Sequence, residues 1–246
     1  MDVLSLDAHP VRNAGPDQTR RDEGSPHHRA EFLELLTEPE RAELSRRGRV
    51  RHWERDAVLL GEGERSDWVA VVLHGKVKVS SHTTRGGEVL LAVYGPGALV
   101  GELAAIDGQP RSATVTALED MTALVVPFVG FGAYLQAHGR VSYLLMRLLA
   151  ERLRDANRKR VEFGAHNSTG RVAARLAELA ERFGQPTDHG IRVALALSQG
   201  ELASWTGVSR EAVSKALGVF RAYAWVTTGR RQIVIQNLAA LQQLAS

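Results

Sequence analysis

The chain has 246 residues, 44% of them hydrophobic and 24% charged, which suits one large or two modest globular domains. It has no cysteine, so disulfides, zinc–thiolate sites and iron–sulfur clusters are excluded. The net charge is +3, but from Gly170 onward there are nine Lys and Arg against five Asp and Glu, so the positive excess lies in the C-terminal third and hints at nucleic acid.

Residues 1–27 are rich in Asp, Arg, Pro, Gly and Ser without apolar periodicity, and read as a disordered tail. The only adjacent histidines, His27 and His28, fall at its end and read as solvated filler, so no metal is expected. No basic-then-apolar leader opens the chain, and no apolar run reaches the roughly 18 residues of a bilayer span, so a cytoplasmic protein without membrane contact is expected. Glu31–Arg46 suggests short helices. From Val50 to Pro127 the pattern changes to short apolar or alternating runs, Trp68–Leu73, Lys76–Ser80, Val89–Tyr94 and Thr122–Val126, separated by glycine turns. That spacing predicts an antiparallel sandwich or jelly roll.

A long helix is expected over Gly139–Ala165. Met146, Leu149, Leu153, Ala156, Arg160 and Phe163 follow one another at spacings of 3 and 4, an a/d seam that Leu145 and Leu148 broaden. Its later half lies among many charges, which favours a two-stranded coiled coil and hence a homodimer over packing against the same chain. Ser168–Gly170 ends this helix and caps another over Arg171–Phe183, stopped by Gly184 and Pro186. Ile191–Leu197 reads as a short strand.

Ser198–Glu201 is a capping box: the Ser hydroxyl can accept from the N–H three residues on, and the Glu can reach back. The helix it starts carries Leu202, Ala203 and Trp205. Gly207 supplies a tight turn, and Ser209 caps a second helix whose buried face is Val213, Ala216, Leu217 and Phe220. Arg210, Glu211, Ser214 and Lys215 point the other way near its N-terminal end, the end of a recognition helix that enters the major groove. Arg and Lys can donate to guanine O6 and N7, and Glu can accept from cytosine N4. Trp225–Thr228 and Gln232–Ile235 form a hairpin with Arg230 and Arg231 at its tip, placed for phosphate contact on double-stranded DNA. The expected DNA-contacting set is Ser198, Ser209, Arg210, Glu211, Ser214, Lys215, Arg230 and Arg231.

One segment of the β-rich region stands apart: Gly101-Glu102-Leu103, then Arg111-Ser112-Ala113 after a short apolar turn. Arg111 can hold a phosphate bidentately. The Ser112 hydroxyl and nearby N–H groups can complete an anion cradle. Ionised Glu102 only accepts hydrogen bonds, which suits a sugar hydroxyl and repels a free phosphate. A ligand with both a phosphate and a ribose hydroxyl meets both demands. The plainer alternative is a Glu102–Arg111 salt bridge and no ligand.

This segment closely resembles the phosphate-binding cassette of cyclic-nucleotide-binding domains, and the chain from about residue 30 is similar to the Crp/Fnr family. Leu145-Met146-Arg147-Leu148, Thr169-Gly170-Arg171 and Ser209-Arg210-Glu211 occur in the family's order. The resemblance implies an α+β protein: a β-roll over residues 28–137, a dimerising helix over 138–167 and a winged helix-turn-helix over 168–246. It implies a regulator controlled by a cyclic nucleotide, cAMP first, with Gly101 and Glu102 on the ribose and Arg111, Ser112 and Ala113 on the phosphate. Two base-contacting positions fall at Ala156, which lacks the family's hydroxyl, and Asn157, whose amide can still donate and accept. It further implies palindromic operators with TGTGA-like half-sites, RNA polymerase as a partner and no catalytic centre. A regulator of the same fold that needs no ligand, or another one, is the alternative.

Overall fold

The computed structural model describes residues 30–245 apart from 85, 194–196 and 230–231. The expectations for the tail, for His27 and His28, and for Arg230 and Arg231 lie outside the described residues.

Helices α1 (Phe32–Leu35) and α2 (Glu38–Arg46) come first. Eight strands follow: β1 (Arg49–Trp53), β2 (Val58–Leu60), β3 (Trp68–His74), β4 (Val77–His82), β5 (Glu88–Tyr94), β6 (Leu99–Val100), β7 (Thr114–Ala117) and β8 (Met121–Pro127). They build two four-stranded antiparallel sheets, ordered β1-β8-β3-β6 and β2-β7-β4-β5. The alternation of β3 explains the layers. Val69 and Val71 face a core shared with Phe32, Leu44, Phe131, Tyr134 and Leu145 from the helices, while Ala70 and Val72 face Val77, Val115 and Ala117 of the other sheet. A strand buried on both faces reads as a continuous apolar run, which is why Trp68–Leu73 stood out.

Three elements of the roll have weak sequence signals. β1 reads Arg-Val-Arg-His-Trp and is exposed at its first four positions, as an edge strand can be. β2 is three residues long and β6 only two.

The roll is followed by α4 (Phe128–Ala137) and α5 (Gly139–Ala165), the latter with the expected bounds. α6 spans Ser168–Phe183, and its cap is Asn167, whose side chain accepts from the Gly170 N–H at 2.9 Å, rather than the Ser168–Gly170 stretch. Then come β9 (Gly184–Thr187), β10 (Gly190–Val193), α7 (Gln199–Thr206), α8 (Arg210–Ala222), β11 (Val226–Gly229), β12 (Gln232–Ile235) and α9 (Leu238–Leu244). The four strands pair in the order β11-β12-β10-β9. Gly184 and Pro186, a helix stop in the sequence, also form β9; at the edge of a sheet a proline costs no ladder bond.

The C-terminal unit rests on the roll. Leu90, Val93 and Leu118 share a core with Val172, Leu176, Leu202, Trp205 and Phe220. The Ser204 hydroxyl of α7 accepts from the Leu90 N–H at 3.0 Å and donates to the Glu88 carbonyl at 2.5 Å, satisfying the free edge of β5.

Candidate functional site

A cavity of about 390 Å³ opens between the second sheet, α3 (Glu102–Asp107), α5 and the end of α6. Gly101, Glu102, Leu103, Arg111, Ser112 and Ala113 all line it, so the structure brings together six of the seven expected ligand residues. Gly101 must be glycine twice over. Its φ is +82°, and a Cβ there would lie 2.6 Å from the Arg111 guanidinium and 2.9 Å from Leu60.

Glu102 and Arg111 are not an ion pair. The Glu102 carboxylate accepts from Arg152 of α5 at 2.7 Å, and Arg152 also donates to the Leu99 carbonyl at 2.8 Å. Arg111 donates to the Gly101 carbonyl at 2.6 Å, to the Ser66 hydroxyl and to the Trp68 carbonyl, with the rings of Trp68 and Phe128 beside it. It is 4% exposed, its Nε has no acceptor, and no carboxylate lies within salt-bridge distance among the described residues. Burial depresses its pKa, against the charges of Glu102 and Asp67. A buried cation held only by neutral oxygens at a cavity wall is a place for an anion.

Ala156, an expected base-contacting position, also lines the cavity. Among the other lining residues, Arg152 and Lys159 of α5, Tyr94 of β5, Glu31 just before α1 and Arg182 of α6 escaped the sequence reading. The signal for Arg152 was present: Leu145, Leu148 and Arg152 are spaced 3 and 4 along one face, so a charge continues an inward apolar stripe.

The helix-turn-helix has the expected local build. In α7 the Ser198 hydroxyl accepts from the Glu201 N–H at 3.1 Å, and Glu201 accepts from the Ser198 N–H at 2.8 Å. Gly207 has a φ of +61°, and a Cβ there would collide with Phe163 of α5. Ser209 caps α8 through the Ala212 N–H at 3.2 Å. Val213, Ala216, Leu217 and Phe220 are buried, while Ser198, Ser209, Arg210, Glu211, Ser214 and Lys215 are exposed.

Residues 50–138 match the cyclic nucleotide-binding domain family, and residues 170–244 match the Crp-like helix-turn-helix domain. A CRP-like cAMP-activated global transcriptional regulator of Mycobacterium tuberculosis is 32% identical over 191 residues, covering 78% of this chain and 85% of that protein. This chain belongs to the Crp/Fnr family. The cyclic AMP receptor protein of Thermus thermophilus is 29% identical over 75% of this chain and 82% of its own length. A solved CRP-family transcriptional regulator, also from Thermus thermophilus, superposes with a TM-score of 0.67 at 25% identity, covering 79% of this chain and 96% of that one. The mycobacterial relative and the solved Thermus structure are transcriptional regulators, and so is this protein.

In this Crp/Fnr regulator two residues of the expected seam turn toward their own chain. Leu149 is half-buried against its own roll, and Ala156 borders the cavity. The exposed apolar stripe keeps Met146 and Leu153 of that seam and joins them to Tyr143 and Ala150, with Tyr143 and Met146 exposed at 60% and Leu153 at 63%, and Asn157 continues it at the same spacing. Asn157, the seventh expected ligand residue, is exposed and is not among the residues lining this chain's cavity; it lies one position, about 100° of helix turn, past Ala156.

Proposed function

We propose that this regulator is controlled by cAMP and binds palindromic operators as a cytoplasmic homodimer, contacting RNA polymerase at the promoters it serves. The observation that carries the ligand reading is Arg111, a buried guanidinium with no carboxylate of its own, next to a carboxylate already turned into the same cavity. Arg111 with Ser112 and Ala113 receives the cyclic phosphate. Gly101 and Glu102 meet the ribose through the carboxylate oxygen that Arg152 leaves free. Leu103 and Ala156 border the space left for the base, and Asn157 reaches a base across the helix pair from the partner subunit. The names of the mycobacterial and Thermus relatives agree with cAMP. A different small effector is the second reading, favoured by Ala156, which offers a base no hydrogen bond.

Calorimetry with cAMP and cGMP on the parent protein and on Arg111→Ala tests this. Losing a buried charge-assisted contact should weaken cAMP binding by roughly 2–5 kcal/mol. A folded Arg111→Ala protein that titrates cAMP like the parent refutes the phosphate role, and a parent that ignores cAMP refutes the choice of effector.

A further inference from the structure

Among the described residues, Arg182 is the one side chain of the C-terminal unit that lines the effector cavity. It projects from the last turn of α6, pairs with Glu31 at 3.2 Å and leans on Glu178 of its own helix at 3.7 Å. Both Arg182 and Glu31 are largely buried, with side chains 17% and 15% exposed. Beneath them lies Tyr94, the only aromatic residue among the described residues lining the cavity. Its ring carries two guanidinium groups, Arg152 at 4.4 Å and Arg182 at 5.4 Å from the centroid.

A purine in this cavity has a single aromatic face to stack on, and base–aromatic stacking is a strong, sequence-tolerant contact. That face is held by cations. Arg152 is fixed by Glu102 at 2.7 Å and the Leu99 carbonyl at 2.8 Å, whereas the ion pairs of Arg182 are longer and one partner is on its own helix. Arg182 is thus the group that gives way. Burial raises the pKa of Glu31 even with Arg182 beside it, so the carboxylate of the closed pair carries a desolvation cost that Arg182 only partly offsets.

The geometry points to a clasp: the Glu31–Arg182 pair across Tyr94 and a bound purine nucleotide exclude one another, so that ligand entry removes one tie between the C-terminal unit and the roll while the Lys78–Glu201 pair and the Ser204 hydrogen bonds stay in place. This rests on the reading of the cavity as a nucleotide site. By reciprocity, whatever the ligand does to the clasp, the clasp does to the ligand.

The test measures cAMP affinity and ligand-free operator affinity in the full-length parent, Arg182→Gln, Glu31→Gln and the double variant. Each single variant should bind cAMP about 5-fold tighter or more, the low end of common coupling strengths, and the double variant should add nothing. Ligand-free operator affinity of each should move toward that of the liganded parent. Glu31→Gln guards against a direct role of Arg182 on DNA, since Glu31 belongs to the roll. Parent-like or weaker cAMP affinity in the folded variants overturns the clasp. If the parent itself does not bind cAMP, the effector reading fails separately. The clasp is then judged on ligand-free operator binding, where a shift of about 5-fold shared by both single variants supports it and parent-like binding overturns it.

Discussion

The Glu102 carboxylate, 4% exposed, is held by Arg152 at 2.7 Å, and this bond ties the Gly101–Thr114 segment to the long helix α5. Solvent has little access to take the place of either partner. Truncating one member of a buried pair leaves an uncompensated charge, at a cost of about 3–5 kcal/mol. Arg152→Ala should therefore lose about that much stability in urea unfolding, and Glu102→Gln in the same background should recover part of it by removing the stranded charge. A loss under about 1 kcal/mol would show the pair to be solvent-screened.

The two faces of α5 make opposite predictions for neighbouring leucines. Leu153 stands 63% exposed on the outward stripe, whereas Leu149 packs against the core of its own roll. Leu153→Lys should give a folded monomer by light scattering with parent-like circular dichroism. Leu149→Lys buries an unpaired charge and should lower the melting temperature, whatever the oligomeric state. Dimers that persist in Leu153→Lys would place the subunit interface elsewhere.

Lys78 of the roll pairs with Glu201 of α7 at 2.9 Å and with Glu88 at 3.3 Å. Burial alone would lift the Glu201 pKa, but the Ser198 N–H and Lys78 outweigh it, and the net shift is downward. Burial alone would lower Lys78, but Glu201 and Glu88 outweigh it, and the net shift is upward. A depressed carboxyl stabilises above its ordinary value of 4.5 and loses that as pH falls through the depressed value; a raised amine stabilises below 10.5 and loses that as pH climbs through the raised one. The contact between α7 and β5 should hence be flat in pH from about 5 to 10. The Leu90 amide, which donates to Ser204, reports it directly through its hydrogen-exchange protection factor. Lys78→Met should lower that protection by about 1 kcal/mol, and a step in the parent near neutral pH would contradict the assignment.

What was legible in the sequence was local. The capping box at Ser198, the turn at Gly207 and the cap at Ser209 are each closed within three or four residues, so α7 and α8 could be drawn with their faces. The cassette was legible as chemistry but not as pairing. Glu102 takes its partner from 50 positions downstream, and Arg182 enters the cavity from another unit altogether. The expected seam runs across two faces because α5 is apolar on two sides, Leu145, Leu148 and Leu149 inward and Tyr143, Met146 and Leu153 outward. Spacing by threes and fours fits either side until the roll is seen to cover one of them.

On DNA, Arg210, Glu211 and Lys215 should read bases, while Arg230 and Arg231 should mainly position the unit on phosphates. The first three are exposed near the N-terminal end of α8, the part of a recognition helix that meets base edges, and the other two stand in the sequence at the tip between β11 and β12. Base contacts discriminate by about 1–3 kcal/mol each, whereas phosphate contacts strengthen binding to every sequence and steepen its salt dependence. A two-fold dimer sets its recognition helices about 34 Å apart, so the operator should be an inverted repeat with half-sites one helical turn apart. Titrations over single-base operator variants at two salt concentrations separate the roles. Arg210→Ala should relax preference at one base pair of each half-site. Arg230→Ala should weaken all sequences alike and flatten the salt slope by about one unit. Uniform weakening by Arg210→Ala, or altered base preference in Arg230→Ala, would reverse the assignment.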